Sequence, residues 1–276
     1  MTVGILTSPF NDTDLCDVVK FAAESGFDSL EISASPGARH IDSAKLTKAQ
    51  AKKIRGCMDE AGVGISSLAF YGNVTAGDAS ERKANQAALK SVVKAAKLLD
   101  VDIVCCGAGQ APAGMSREQA ISTIAKPFYT KLCKANPGIK FGLENWTATN
   151  IMNLDQFALM FSEVPAENFG LNYDPSHLVW QGIDYLAAVD EFAPRIFHSH
   201  AKDTEVRQDE LARVGNQTPS FWCYVIPGRG DIHWGVYCGR LRRAGFNGVL
   251  SIEHEDGAVG REEGFLMGLT HLRQFA

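Results

Sequence analysis

The stretch from Lys140 to Asp174 reads KFGLENWTATNIMNLDQFALMFSEVPAENFGLNYD. It opens on a short apolar run, Lys140 to Glu144, and closes on another, Phe169 to Tyr173, with a helical pattern from Leu154 to Val164 between them. A strand, a helix and a strand in that order read as parallel neighbours. Antiparallel strands join through a tight turn, whereas parallel ones need a crossover long enough to hold a helix. Each of the two strands is closed by an acid, Glu144 and Asp174.

The same alternation continues in both directions. Upstream, strands are expected at Val3–Leu6, Ser29–Ile32, Ile65–Phe70 and Asp102–Cys106. Their helices carry Leu15, Val18, Val19 and Ala22, then Ile54, Cys57, Met58 and Ala61, then Leu89, Val92, Val93, Ala96 and Leu99, and finally Arg117 to Ala135. Gly26 and Gly62 stand where the first two helices should stop. Downstream come a helix at Tyr185–Phe192, a strand at Ile196–His200, a long loop from Ala201 to Asp231, a helix at His233–Ala244, a strand at Val249–Glu253 and a final helix at Glu262–Phe275. Eight strand–helix units in 276 residues match the ~250 residues typical of a closed (β/α)₈ barrel. An open dinucleotide-binding sheet would call for GxGxxG after the first strand, where Ser8-Pro9-Phe10 stands instead. The expected fold class is α/β, a single (β/α)₈ TIM barrel occupying residues 1–276 as one domain. The loop after the seventh strand is too long for a plain connector and is expected to be functional.

Composition narrows the function classes. Hydrophobic residues make up 45% and charged residues 21%, a globular balance. Thirty-two acids against 27 bases leave a net charge of −5, which disfavours nucleic acid and anionic membrane as partners. No apolar stretch approaches the ~20 residues of a membrane span. The start, MTVGILTSPF, lacks the basic and apolar regions of a signal peptide, so a cytoplasmic protein is expected. The seven cysteines are odd in number and include no CxxC pair, which reads as reduced thiols rather than a disulfide framework.

Barrel chemistry gathers at the C-terminal ends of the strands. Strand five ends in Glu144, strand six in Asp174, strand seven in His198-Ser199-His200 and strand eight in Glu253. Three carboxylates converging on one rim repel each other unless a cation joins them. Three oxygens and one imidazole nitrogen suit a hard or borderline divalent ion, with Mn²⁺ first and Mg²⁺ or Co²⁺ as alternatives. Glu144, Asp174, His200 and Glu253 are therefore the expected ligands of one metal. Singly, each has a plainer reading as a helix cap or rim salt bridge; four at successive strand ends favour the metal. His198 shares a strand face with His200 and is expected to satisfy a backbone carbonyl instead. Trp146, Trp180, Trp222, Trp234, Phe70 and Tyr71 are candidates for the wall of a sugar pocket, with ordinary packing the competing reading. Arg229, within Pro227-Gly228-Arg229-Gly230-Asp231, is a candidate substrate contact.

Gly142-Leu143-Glu144-Asn145, Asp174-Pro175-Ser176-His177-Leu178, His200-Ala201-Lys202-Asp203, Pro227-Gly228-Arg229-Gly230-Asp231 and Ser251-Ile252-Glu253-His254 resemble the xylose isomerase-like TIM barrels. The nearest branch is the sugar phosphate isomerase/epimerase group, which includes ketose 3-epimerases and inosose dehydratase. Gly26 to Glu31 adds a second-strand signature, so the resemblance covers nearly the whole chain. It implies a divalent-metal-dependent isomerase or epimerase acting on a keto-sugar or related polyol through an enediolate, with Glu144 and Glu253 as catalytic acid and base. It implies His177 as a hydrogen-bond donor to substrate. It also places Arg207 in the region of a substrate-binding arginine, although the surrounding motif differs and a solvated loop residue is the competing reading. The alternative within the same family is a lyase or dehydratase performing β-elimination on a 3-oxo-glycoside or inosose. An apurinic endonuclease ranks lower, because strands two and three end in Ser33-Ala34 and Phe70-Tyr71-Gly72 rather than histidines. The expected partner is a small-molecule sugar, and a homo-oligomer is left open.

Overall fold

The computed structural model describes all 276 residues. Ten strands form: β1 (Thr2–Leu6), β2 (Ser29–Ser33), β3 (Gly64–Phe70), β4 (Ile103–Gly107), β5 (Lys140–Glu144), β6 (Phe169–Tyr173), β7 (Ile196–Ala201), β8 (Asp203–Val206), β9 (Trp222–Val225) and β10 (Val249–Ile252). Eight of them close into a barrel in the order β1-β10-β7-β6-β5-β4-β3-β2, and every pairing in it is parallel. The fold is a (β/α)₈ TIM barrel, as the strand–helix alternation requires.

The surrounding helices are α1 (Leu15–Ser25), α2 (Lys48–Ala61), α3 (Ala79–Leu99), α4 (Arg117–Ala120), α5 (Lys126–Ala135), α6 (Leu154–Glu163), α7 (Ser176–Val179), α8 (Tyr185–Phe192), α9 (Gln208–Val214), α10 (Trp234–Arg243) and α11 (Arg261–Leu272). Thr47 opens α2 with a reciprocal capping box to Gln50. Gly26 and Gly62 end α1 and α2 in the left-handed region, at φ 87° and 69°. Apolar stripes of the helices pack on the outer face of the barrel to form one continuous core.

Two expectations about the chain need correction. The single helix read from Arg117 to Ala135 is divided by a π-helical turn at Ile121–Ala125. Pro127 has no N–H for the regular ladder, and the Lys126 N–H reaches back to the Ile121 carbonyl. The stretch from Ala201 to Asp231 is not a plain loop. β8 and β9 form an antiparallel hairpin with α9 between them. Its base is fastened by Asp203, whose buried carboxylate accepts hydrogen bonds from the N–H groups of Thr204, Gly228 and Ile232 and from Trp234 Nε1. Trp234 is therefore a core residue and not a pocket wall. No helix is long and apolar enough to cross a membrane.

Candidate metal centre

β5, β6, β7 and β10 bring Glu144, Asp174, His200 and Glu253 together, with one ligand atom from each lying within 4.8 Å of all the others. His200 Nδ1 sits 3.2 Å from Glu144 Oε1 and 3.3 Å from Glu253 Oε2. Asp174 is held rigidly: the Asn145 side chain bonds both its N–H and its C=O at 2.8 Å, and its Oδ1 accepts the Ser176 N–H at 2.8 Å. Asp174 Oδ2 is buried, accepts no hydrogen bond, and faces the other three groups' site. Lys202 Nζ at 3.4 Å and His177 Nε2 at 3.3 Å are near it without making a hydrogen bond, so this buried oxygen keeps a lone pair free for a cation. The donor set of three carboxylates and one imidazole fits a divalent ion.

One lysine of the chain stands at the edge of the cluster. Lys202, next but one after His200, is buried, with Nζ 2.6 Å from Glu253 Oε2, 3.3 Å from Glu255 Oε2 and 3.4 Å from Asp174 Oδ2. Burial works to lower the Lys202 ammonium, but Glu253, Asp174 and Glu255 outweigh it and hold the pKa well above the usual lysine value. The same arrangement keeps Glu253 ionised: burial raises its carboxyl, and Lys202 and His200 together push it well below the ordinary range. Burial likewise works against the Glu144 carboxylate, and the nearby imidazoles of His177 and His200 bring its pKa down. Burial raises Glu255.

Behind His200 lies a polar layer inside the barrel. Glu31, fully buried on β2, takes His200 Nε2 at 3.1 Å and the Tyr71 hydroxyl at 2.6 Å. A register shift between Leu30 and Glu31 re-aims this side chain. Burial acts to raise the Glu31 carboxyl, yet the imidazoles of His200 and His198 pull it down to about 2. Burial works to lower the His200 imidazole, but the surrounding acids hold its pKa well above the usual value and keep both ring nitrogens protonated. With a cation in place of the Nδ1 proton, the carboxylate on Nε2 would orient the ring as ligating histidines are oriented. His198 does not bond a backbone carbonyl as expected: Nδ1 meets Asn172 Oδ1 at 2.9 Å and Nε2 meets Ser66 Oγ at 3.2 Å. A second register shift, between Leu171 and Asn172, turns Asn172 toward it. Burial lowers His198 to about 4, so it stays neutral. Glu31→Gln is expected to weaken divalent-metal binding by about 10–100-fold while leaving the far-UV spectrum unchanged. Calorimetric titration of the purified variant with Mn²⁺ checks this, and unchanged affinity would remove Glu31 from the site.

A cleft of about 280 Å³ opens directly onto the cluster, lined by Glu144, Trp146, His177, Lys202, Tyr224, Glu253 and Glu255. Of the residues expected to meet substrate, His177 and Trp146 lie in it. His177 Nδ1 bonds the Tyr224 hydroxyl at 2.6 Å, and its Nε2 points at Glu144 and Asp174, 3.6 and 3.3 Å away. Arg207 and Arg229 are not in the cleft lining. Arg207 follows the last residue of β8 and its guanidinium turns to the Ser220 carbonyl across the hairpin. Arg229 Nε faces Asp256 Oδ2 at 3.9 Å. Trp222 stacks on Trp180 with ring centroids 4.5 Å apart, fixing the hairpin to α7. Tyr224 had no sequence signal assigned to it; Glu31 and Lys202 stood in quoted motifs without a role, and Glu255 only as part of the Glu253-His254-Glu255-Asp256 run that suits a leaving-group proton transfer.

Residues 19–275 match the family model described as xylose isomerase-like TIM barrel. An inosose dehydratase of Geobacillus thermodenitrificans is 26% identical over 127 residues, 44% of this chain and 42% of that protein. Among solved structures, a D-tagatose 3-epimerase-like protein superposes with a TM-score of 0.78 at 18% identity, over 100% of this chain and 97% of the other. The IOLI protein, whose structure was solved with a binding zinc atom, gives 0.77 at 18% identity over 100% and 99% of the two chains. These two likenesses are likenesses of fold.

Proposed function

The chain belongs to the xylose isomerase-like TIM barrel family, and from that premise we propose that it is a divalent-metal-dependent isomerase or epimerase of a keto-sugar or related polyol. One observation carries the reading. Of the four converging groups, Asp174 and His200 are fully buried, whereas the Glu144 and Glu253 side chains keep 12% and 14% exposure, and these two line the cleft. The two glutamates are thus the groups able to serve a cation and touch a substrate at once.

Glu144, Asp174, His200 and Glu253 would hold a divalent cation, which would supply Lewis-acid polarisation of a substrate carbonyl. Mn²⁺ is the first choice on the donor set, with Mg²⁺ and Co²⁺ behind it; Zn²⁺ joins the test because of the zinc-bound IOLI structure. One glutamate takes the proton from the carbon beside that carbonyl, leaving an enediolate. The other, entering as the carboxylic acid, delivers its own proton to the opposite face for epimerisation, or the first glutamate passes the proton it took to the adjacent carbon for isomerisation. Lys202 keeps Glu253 in the ionised form a base requires and lends positive charge to the developing oxyanion. His177, steadied by Tyr224, offers Nε2 to a substrate oxygen. Trp146 and Tyr224 offer ring faces to the apolar side of a sugar. Four carboxylates against Lys202 and one divalent ion leave the cleft without surplus positive charge, which suits an uncharged sugar over a phosphorylated one.

Elimination is the second reading. Glu255 faces Lys202 in the same cleft with its carboxyl raised by burial, a group suited to protonating a leaving hydroxyl, and the partial match to inosose dehydratase supports it. Incubation of the metal-loaded protein with unphosphorylated keto-sugars and inososes in heavy water separates the readings. Deuterium at the carbon beside the carbonyl with no loss of water is the expected result. Loss of water on turnover selects the lyase, and no reaction with any of these substrates rejects both.

A further inference from the structure

On the outside of the barrel, away from the cleft, α1 and α2 frame a groove of about 510 Å³ whose lining includes Cys16 and Cys57. Cys16 is exposed and Cys57 is half-buried. Their Sγ atoms lie 3.3 Å apart, although 41 residues separate them in the chain. We propose that Cys16 and Cys57 are a surface dithiol that closes reversibly to a disulfide by exchange with a low-molecular-weight disulfide such as oxidised glutathione. The inference stands apart from the metal centre and holds whatever the cleft turns over.

Sulfur atoms at van der Waals contact need to approach by little more than 1 Å to reach the ~2.05 Å of a disulfide, a shift within reach of side-chain rotation. Both residues sit on helices packed side by side, so the approach is set by the fold. The other thiols are placed differently. Cys105, Cys106, Cys133 and Cys238 are buried, and Cys223 donates to the Glu205 carboxylate. Only the Cys16–Cys57 pair combines sulfur-to-sulfur contact with access from solvent.

The exchange balances without any further oxidant. The Cys16 thiolate attacks one sulfur of oxidised glutathione, the glutathione S–S bond breaks, and one glutathione thiolate leaves and takes up a proton. The Cys57 thiol then gives up its proton, its sulfur attacks Cys16 Sγ in the mixed disulfide, and the second glutathione leaves as thiolate. The protein loses two hydrogens and oxidised glutathione becomes two reduced molecules. Burial first, then the hydrogen bond and charge of Cys16, push the Cys57 thiol up to about 11. Exposed Cys16 is therefore the entry point. Cys57, held 3.3 Å from Cys16 Sγ by the packing of α1 on α2, is the resolving thiol.

The test is direct. The folded 276-residue chain is incubated with excess oxidised glutathione, remaining thiols are alkylated after unfolding, and the digest is mapped by mass spectrometry. Two of the seven thiols should escape alkylation, joined in one Cys16–Cys57 cross-linked peptide that dithiothreitol releases. Cys57→Ser should instead retain a stable glutathione adduct on Cys16, and Cys16→Ser should give no cross-link. Seven alkylated thiols, a persistent adduct on wild-type Cys16, or a cross-link through another cysteine overturns the proposal. Because the wild-type map decides these outcomes alone, a variant that fails to fold does not blunt the test.

Discussion

Glu253→Gln is expected to lower kcat by about 10²–10⁴-fold, the contribution typical of a positioned acid or base. Gln fills the same volume, so the barrel end should keep its shape. It cannot accept a proton from carbon, and it places a neutral amide where Lys202 now meets a carboxylate at 2.6 Å. The substitution also removes one negative ligand, so metal affinity falls as well. Turnover must therefore be measured at saturating metal, with occupancy followed separately by calorimetry. Under those conditions, a kcat loss with metal bound isolates the proton-transfer role. Full activity at saturating metal would sink the assignment of Glu253 as acid or base. A rate restored simply by raising the metal concentration would reduce it to a ligand.

The barrel and the four converging groups were legible because both depend on local pattern. Alternating short apolar runs and helical stripes mark where each strand ends, and the barrel puts consecutive strand ends on one rim. Glu144, Asp174, His200 and Glu253 could be found by reading the last polar residue of each run. Glu31 could not. It closes the Gly26–Glu31 signature, but alternation gives it no role within Ser29-Leu30-Glu31-Ile32, and a register shift against β3 turns it to His200. Lys202 stood in a quoted motif, but its role needs the acids of β6 and the end of β10 in place around it. The hairpin after β7 left a signal that went unused: Trp222-Cys223-Tyr224-Val225 is rich in aromatic and β-branched residues, as strands are. Recognising it would have placed Tyr224 opposite Thr204 and removed Arg207 from the cleft, since Val206 pairs with Trp222 and Arg207 lies beyond.

Lys202→Met is expected to destabilise the metal-free protein by about 3–5 kcal/mol, the cost of leaving buried charges without their partner. The Lys202 side chain is 2% exposed and its partners Asp174 and Glu253 are 0% and 14% exposed, so solvent screens the interaction weakly. Methionine matches the apolar stem of lysine, which confines the change to the ammonium. Without it, Asp174, Glu253 and Glu144 stand together with only His200 and His177 to offset them. Thermal unfolding of metal-stripped protein should show the loss as a fall in Tm of roughly 10 °C for a chain of this size. A divalent cation replaces the missing charge at the same carboxylates and binds only the folded state, so it stabilises as mass action dictates. Because Lys202 repels an incoming cation, the variant should bind Mn²⁺ more tightly than wild type and recover most of the lost Tm when metal is added. Equal metal-induced shifts in the two proteins would mean that Lys202 and the cation do not share these carboxylates, and the proposed centre would have to lie elsewhere.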